Sequence, residues 1–236
     1  MDRDLIEPKH FQSWIDWAKE KGVKLDFNST FFSHDKTNSG YTLSDFDPEI
    51  RRFWKEHLRR CRAIAAEMGR QQGDPCIHNI WIPDGEKDKT VSRYAHRKLL
   101  QESLDEVLAE RISTDYLKDT IECKLFGIGS ESYVVGSHEF YMGYTVKNNM
   151  LLTLDAGHFH PTETISDKLS SILLFVPEVT LHVSRPERWD SDHVVILNDE
   201  LMAISQEIVR SGQMDRVHMG LDYFDASINR IGAYVV

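Results

Sequence analysis

The feature that most constrains this chain is a repeated alternation of short apolar segments with longer amphipathic ones. The strand-like segments are 23–27, 77–82, 124–128, 150–154, 179–183 and 217–221. Alternation of this kind predicts an α/β fold with a parallel sheet. Six strands without an intervening linker indicate one domain over residues 1–236. Two architectures remain open, an open six-stranded sheet or a (β/α)8 barrel without its first two units.

Helix start and stop signals support the same interpretation. Pro8 and Pro48 stand where a first helical turn tolerates a missing N–H, and Gly22 and Gly212 mark helix ends. The predicted helices are 8–22, 48–71, 91–111, 138–144, 162–174, 198–212 and 226–236. Each follows a strand-like segment or precedes the first one.

Charge and cysteine content exclude several functions. The chain has 28 Lys and Arg against 38 Asp and Glu, a formal net charge of −10. An acidic balance disfavours nucleic acid and anionic lipid as partners. The longest purely apolar run, 172–176, is too short to span a membrane, and no signal-peptide pattern follows Met1. Three cysteines without metal-type spacing fit a reducing cytoplasm.

Acidic and histidine side chains stand at the ends of successive strand signals. Because the carboxyl ends of parallel strands converge on one face, these side chains are expected to meet there. One predicted metal site takes its ligands from four strands: Glu122, Asp155, His182 and Asp222. A second lies further out on loops: His158, Asp190 and Asp192. Oxygen-rich sets with few imidazoles favour Mn²⁺ or Mg²⁺.

Each of these residues also has a simpler interpretation. An Asp after a strand commonly caps a turn or helix. His182 would serve equally as a core histidine, and Asp190 and Asp192 as members of a solvated loop. The joint pattern over four strand ends is what favours a metal site.

Two further residues are candidates for contact with a substrate. Lys124 stands beside apolar residues, where an inward-pointing cation would stabilise charge developing on an oxygen. Trp81 ends its strand signal and would pack against the face of a sugar. Their alternatives are a surface lysine and a core tryptophan.

Several longer motifs resemble the L-rhamnose isomerase family. They are LDFN (25–28), NIWIPDG (79–85), KLFGIG (124–129), LDAGHFHPTE (154–163), HVSRP (182–186), RWDSDH (188–193) and LDYFDASINR (221–230). The likeness covers essentially the whole chain.

The resemblance implies a fold and an activity. The family is a (β/α)8 TIM barrel of the xylose isomerase-like type, of which this chain would hold about six βα units, strands 3–8. It interconverts the aldose L-rhamnose and the ketose L-rhamnulose by a hydride shift in rhamnose catabolism. Two divalent cations per site take part, typically Mn²⁺, with Mg²⁺, Zn²⁺ and Co²⁺ as alternatives. The family usually forms cytoplasmic homotetramers.

The resemblance also implies a role for each candidate. Glu122, Asp155, His182 and Asp222 match the family's inner metal ligands. His158, Asp190 and Asp192 match the ligands of its second, catalytic metal. Lys124 matches the lysine at the carbonyl end of the substrate.

The family chain is longer at both ends, so this chain is expected to be truncated and to lack measurable turnover alone. Two other functions are weighed against the isomerase. One is a non-catalytic fragment, and the other is a different metal-dependent barrel enzyme such as a hydrolase.

Overall fold

A computed structural model describes residues 1–87, 90–124, 133–160, 162–186 and 192–223. They form two compact units. The first contains the described residues up to Ile121 and residues 133–136. The second contains residues 122–124 and the described residues from Ser137 onward. The single domain expected over 1–236 stays a prediction.

The described residues contain six α-helices. They are α1 (Gln12–Lys21), α2 (Pro48–Gln72), α3 (Arg93–Leu108), α4 (His138–Asn148), α5 (Ile165–Ile172) and α6 (Asp199–Ser211). The start of α2 is confirmed, because the Asp47 carboxylate accepts the Glu49 N–H and Pro48 takes the first helical position. Within the described ranges, no helix is long and apolar enough to cross a membrane.

The same parts of the chain contain ten strands. They are β1 (Phe27–Thr30), β2 (Cys76–Trp81), β3 (Gly85–Glu86), β4 (Leu117–Glu122), β5 (Tyr133–Val134), β6 (Leu151–Asp155), β7 (Val179–Val183), β8 (Arg185–Pro186), β9 (Asp192–His193) and β10 (Val217–Leu221). The two-residue strands form two antiparallel pairs, β3 with β5 and β8 with β9. The six longer strands belong to the βα repeat.

In the first unit the strand order is β1-β2-β4, and α2 packs against β1 and β2. The apolar face of α2 buries residues such as Trp54 and Leu58 completely. Gly69 lies in α2 where a Cβ would come within 1.9 Å of the Tyr116 carbonyl oxygen, so only glycine fits. This close approach fixes the helix against the segment that enters β4.

In the second unit the strand order is β6-β7-β10, and all three strands are parallel. Asp155 lies opposite His182 in this register, and Thr153 lies opposite Thr180. Alternate residues such as Leu181 face the other side and are fully buried. The register therefore collects polar side chains on one face and apolar side chains on the other.

Two strand predictions were wrong in their boundaries. β1 covers 27–30 and not 23–27, and β4 ends at Glu122, so Lys124 lies beyond its end. The apolar run after Lys124 attracted the prediction, although residues 125–132 lie outside the described part. The actual β4 has charged or polar residues at 118–120 and 122, which hide the alternation of a strand.

Candidate metal centre

Four of the predicted ligands stand at strand ends in the second unit. Glu122, Asp155 and His182 lie at or next to the last positions of β4, β6 and β7, and Asp222 directly follows β10. The Asp222 N–H donates to the Val183 carbonyl, which holds the chain beside β7 as the strand ends. The strand-end pattern in the sequence is what made these residues predictable.

The four side chains converge on one nitrogen. His182 Nδ1 lies 3.3 Å from Glu122 Oε2, 3.7 Å from Asp155 Oδ2 and 3.5 Å from Asp222 Oδ2. This nitrogen is buried and makes no well-aligned hydrogen bond within the described residues. Glu122 and Asp155 are buried, whereas half of the Asp222 side chain is exposed. The cluster therefore opens towards solvent at Asp222.

His158 joins the same cluster. Asp155 begins a tight turn in which its Oδ1 accepts the Gly157 N–H at 2.6 Å and its carbonyl accepts the His158 N–H at 3.2 Å. The turn brings His158 Nδ1 to 3.2 Å from Glu122 Oε1, and Nε2 to 4.0 Å from Asp155 Oδ2. Asp155 thus caps a turn with one oxygen and faces the cluster with the other.

A backbone contact that the sequence did not predict fixes the His158 ring. Its Nδ1 lies 2.8 Å from the carbonyl oxygen of Cys123, and an acceptor there requires that Nδ1 carries the proton. Nε2 of the neutral ring then keeps its lone pair. Metal-ligating histidines commonly donate their other N–H in this way. Residue types alone give no signal for it, because the acceptor is a main-chain atom.

Burial and charge shift the pKa values of the cluster in different directions. Burial raises the pKa of Glu122 and of Asp222 above their usual values. For Asp155, burial opposes ionisation, but the neighbouring charges of His158 and His182 outweigh it and lower the pKa. Burial likewise opposes the charged form of His182, but the Asp155 and Glu122 carboxylates raise its pKa to about 10. The site thus gathers three carboxylates and two imidazoles in one place.

The donor set fits a divalent cation. Two groups of three have ligand atoms within 4.8 Å of one another, Glu122 with Asp155 and His158, and Asp155 with His182 and Asp222. Neighbouring ligands of an octahedral ion about 2.1 Å away lie about 3 Å apart, close to the distances around His182 Nδ1. Carboxylates with imidazole favour Mn²⁺-type ions over thiolate-bound zinc. The site can therefore hold a metal ion.

The structure places the remaining candidates separately. Lys124 lies two residues after Glu122, is buried and belongs to the second unit. Trp81 ends β2 in the first unit, where its ring contacts Phe32 edge-on at 5.4 Å. Asp192 begins β9 opposite Pro186, and Asp190 lies outside the described residues. The second ligand set of His158, Asp190 and Asp192 therefore stays a prediction.

Solved structures of low sequence identity share this fold. The 3-keto-D-glucoside 4-epimerase YcjR from E. coli has a TM-score of 0.65 and 14% identity, covering 99% of this chain and 84% of that one. A putative xylose isomerase from Rhodospirillum rubrum has a TM-score of 0.60 and 9% identity, covering 97% and 78%. The fold class is therefore the TIM barrel of the xylose isomerase-like type, and in this chain the strand ends carry a carboxylate–imidazole cluster.

Sequence comparison identifies the family within this class. The family model for L-rhamnose isomerase (RhaA) matches residues 1–236, so the chain belongs to the L-rhamnose isomerase family. The L-rhamnose isomerase of Bacteroides thetaiotaomicron is 60% identical over 238 residues, covering 100% of this chain and 56% of that protein. That of Rhodopirellula baltica is 57% identical, covering 100% and 55%. The chain spans about half the length of the curated relatives it matches.

Proposed function

We propose that the protein interconverts L-rhamnose and L-rhamnulose as a metal-dependent aldose–ketose isomerase. The observation that carries this proposal is the convergence of Glu122, Asp155 and Asp222 on His182 Nδ1, in a chain that belongs to the L-rhamnose isomerase family. The negative charge of that cluster supports a bound cation. The family supports the sugar as substrate.

The reaction needs two transfers. The hydrogen on C2 moves with its electron pair to C1, while a proton leaves O2 and arrives at O1, so the aldose becomes the ketose without any external oxidant. Divalent cations in such a site supply Lewis-acid chemistry, polarising the sugar's C–O bonds and lowering the pKa of a water. The chain's own residues hold the cations, orient the sugar and stabilise charge on its oxygens.

Lys124 is the proposed catalytic residue of this chain. Lys124 is buried and lies two residues after Glu122, the ligand at the end of β4. A cation placed at the carbonyl end of the sugar would stabilise oxygen charge that develops during the hydride shift. Trp81 is proposed to pack its ring against the sugar.

Two cations are proposed, with Mn²⁺ as the principal ion and Mg²⁺, Zn²⁺ or Co²⁺ as substitutes. Glu122, Asp155, His182 and Asp222 would hold the first. His158, Asp190 and Asp192 would hold the second, and the contact of His158 Nδ1 with the Cys123 carbonyl, which is typical of metal-ligating histidines, supports its part in this. The oxygen-rich donor set supports Mn²⁺.

Assembly and compartment are proposed on the family resemblance. We expect a homotetramer in the cytoplasm, acting on a small sugar and on neither nucleic acid nor membrane. The three cysteines, Cys61, Cys76 and Cys123, are buried and unpaired, which suits a reducing compartment.

A hybrid enzyme tests the function in a full-length context. This chain would replace the matching segment of the Bacteroides thetaiotaomicron L-rhamnose isomerase, and L-rhamnulose formation would be measured after EDTA treatment and after adding back each cation. We expect activity that EDTA abolishes and Mn²⁺ restores best. The Asp155→Asn hybrid should bind less metal and lose activity.

The 236-residue chain alone is the second arm of this experiment. Mn²⁺ binding without turnover would fit a chain that carries the metal centre and needs further segments for catalysis. A hybrid that folds, binds Mn²⁺ and leaves L-rhamnose unchanged would contradict the proposed function and favour a non-catalytic role. Full activity in metal-stripped hybrid would contradict the metal-dependent mechanism.

A further inference from the structure

A layer of threonines lies one step below the metal ligands in the second unit. Thr153 precedes Asp155 by two residues on β6, and Thr180 precedes His182 by two residues on β7. Side chains two residues apart point to the same face of a strand. Because Thr153 and Thr180 are also opposite each other in the register, they lie side by side beneath Asp155 and His182.

These hydroxyl groups are buried. Thr153 has a relative exposure of 0% and Thr180 of 6%. Thr180 Oγ1 is out of contact with solvent and has no hydrogen-bond partner in the described ranges of the chain. Its neighbour on β10, His218, uses Nε2 to contact Glu178 Oε2 at 2.5 Å. Burying a hydroxyl without a partner lowers stability, so a bound water is the expected partner.

The chemistry of this layer is unusual for its place in the fold. Layers inside a TIM barrel are dominated by Val, Ile and Leu. Threonine has nearly the shape of valine and differs by its hydroxyl, so packing alone gives no reason to prefer it. Apolar side chains fill the opposite face of the same strands, for example Leu152 and Leu181.

The spacing between the two layers suits one water molecule. Thr180 lies diagonally below Asp155, about 6.6 Å along the strands and about 4.8 Å across them, so the two positions are about 8 Å apart. Two successive O–H···O hydrogen bonds of about 2.8 Å span most of that distance. A buried water needs two to four polar partners, and the Thr180 hydroxyl with the Asp155 carboxylate supplies two.

We propose that Thr180 holds a buried water that hydrogen-bonds the Asp155 carboxylate and so positions this ligand for the metal ion. The inference rests on the proposed function, because it assigns a positioning residue to the same metal centre. Groups that hydrogen-bond metal ligands set their orientation, and losing one typically weakens metal binding about 10- to 100-fold.

The test compares three variants of the 236-residue chain in a Mn²⁺ titration that follows free Mn²⁺ by electron paramagnetic resonance. Thr180→Val keeps the shape and removes the hydroxyl, and Thr180→Ser keeps the hydroxyl. Thr145→Val is the matched control, because Thr145 is equally buried in the second unit but its hydroxyl already bonds the Met142 carbonyl within α4. We expect about 10- to 100-fold weaker Mn²⁺ binding in Thr180→Val alone.

Melting of the metal-free variants separates positioning from packing. Thr180→Val should melt only slightly below the wild type, because the substitution removes one hydrogen bond to the buried water and keeps the packing. Wild-type Mn²⁺ affinity in Thr180→Val would overturn the inference, whatever its melting temperature. Weakened binding in Thr180→Ser equal to that in Thr180→Val would overturn it as well. A wild-type chain that binds no Mn²⁺ would instead contradict the metal centre of the proposed function, and the inference would fall with it.

Discussion

The two units each bury a cluster of charged side chains, and the clusters differ in how their charge is balanced. In the first unit, Asp119 accepts from Arg62 Nε at 3.0 Å and pairs with His78 Nδ1 at 2.7 Å. Arg62 also donates to the carbonyls of Val107 and Glu110. One carboxylate there faces a guanidinium and an imidazole. The charge of this carboxylate is paired without any added ion.

The cluster of the second unit, called unbalanced here, contains more carboxylates than imidazoles. Three carboxylates, Glu122, Asp155 and Asp222, face two imidazoles, and burial raises the pKa of two of them. Carboxylates gathered in a buried site repel one another, so a divalent cation would stabilise the cluster. The comparison teaches that buried charge by itself does not mark a functional site. Several carboxylates gathered with imidazoles at strand ends are the more informative signal.

The largest expected effect comes from breaking the balanced cluster. Arg62→Met should leave Asp119 buried without its guanidinium and lower the free energy of unfolding by about 3–5 kcal/mol. Urea denaturation of the metal-free chain measures this. Arg59→Met is the control, since Arg59 is partly exposed and pairs with Glu106 and Glu56 at the surface, where a loss of at most about 1 kcal/mol is expected. Equal losses in both variants would contradict the structural role of Arg62.

Replacing Lys124, the buried lysine of the second unit, should affect turnover more than stability, the opposite of what is expected for Arg62. Lys124→Met in the hybrid should lower kcat about 10²-fold, or about 2.7 kcal/mol, because an oxyanion-stabilising donor is removed. The sugar's KM should change less, and the free energy of unfolding should fall less than in Arg62→Met. Steady-state kinetics with L-rhamnose measures the effect. Near-normal turnover would contradict a catalytic role for Lys124 and leave it with a role in packing.

The sequence predicted the unbalanced cluster better than the balanced one. Glu122, Asp155, His182 and Asp222 could be found because strand ends converge in a parallel α/β fold, and this held although the predicted boundary of β4 was wrong. The loop after Asp155 also signalled a turn through its Gly157. Local patterns were sufficient for these residues.

The balanced cluster depends on contacts that local patterns do not contain. Asp119 lies on the face of β4 opposite to Glu122, where an apolar residue is expected, and it is tolerated only because Arg62 reaches it from α2. The two residues are 57 positions apart. The same charge hid the strand period of β4 and moved the predicted strand towards Lys124. The Cys123 carbonyl that orients His158 was equally invisible, because any residue type supplies a carbonyl.

A smaller effect should separate charge from metal binding in the second unit. Glu122→Gln removes one excess negative charge, so the metal-free chain should change by less than about 1 kcal/mol in unfolding free energy. Mn²⁺ at 100 times the wild-type Kd should add about 2.7 kcal/mol to the wild type and only about 0.4 kcal/mol to a variant that binds 100-fold more weakly. Chemical denaturation with and without Mn²⁺ measures both values. A variant stabilised by Mn²⁺ as much as the wild type would exclude Glu122 as a ligand.

The smallest effect is in the pH dependence of stability, and it has opposite signs in the two clusters. Burial opposes ionisation of Asp119, but the hydrogen bond and charge of His78 and the charge of Arg62 outweigh it and lower the pKa. A lowered carboxyl pKa contributes stability that is present above the unfolded value of 3.8 and lost as the pH falls through the folded value. Asp119→Asn should therefore cost about 1–2 kcal/mol at pH 7, and this difference from the wild type should shrink below pH 3.8.

Glu122 supplies the contrast within the same titration. Burial raises its pKa, so its ionisation opposes folding at neutral pH, and acidification through the raised pKa should relieve that cost. The difference between Glu122→Gln and the metal-free wild type should therefore change with pH in the opposite direction to that of Asp119→Asn. Unfolding free energies measured from pH 3 to pH 7 give both slopes. If the two stability differences change with pH in the same direction, the folded state favours ionisation of Glu122 as it does that of Asp119. The electrostatic argument for a cation in the second unit would then fail.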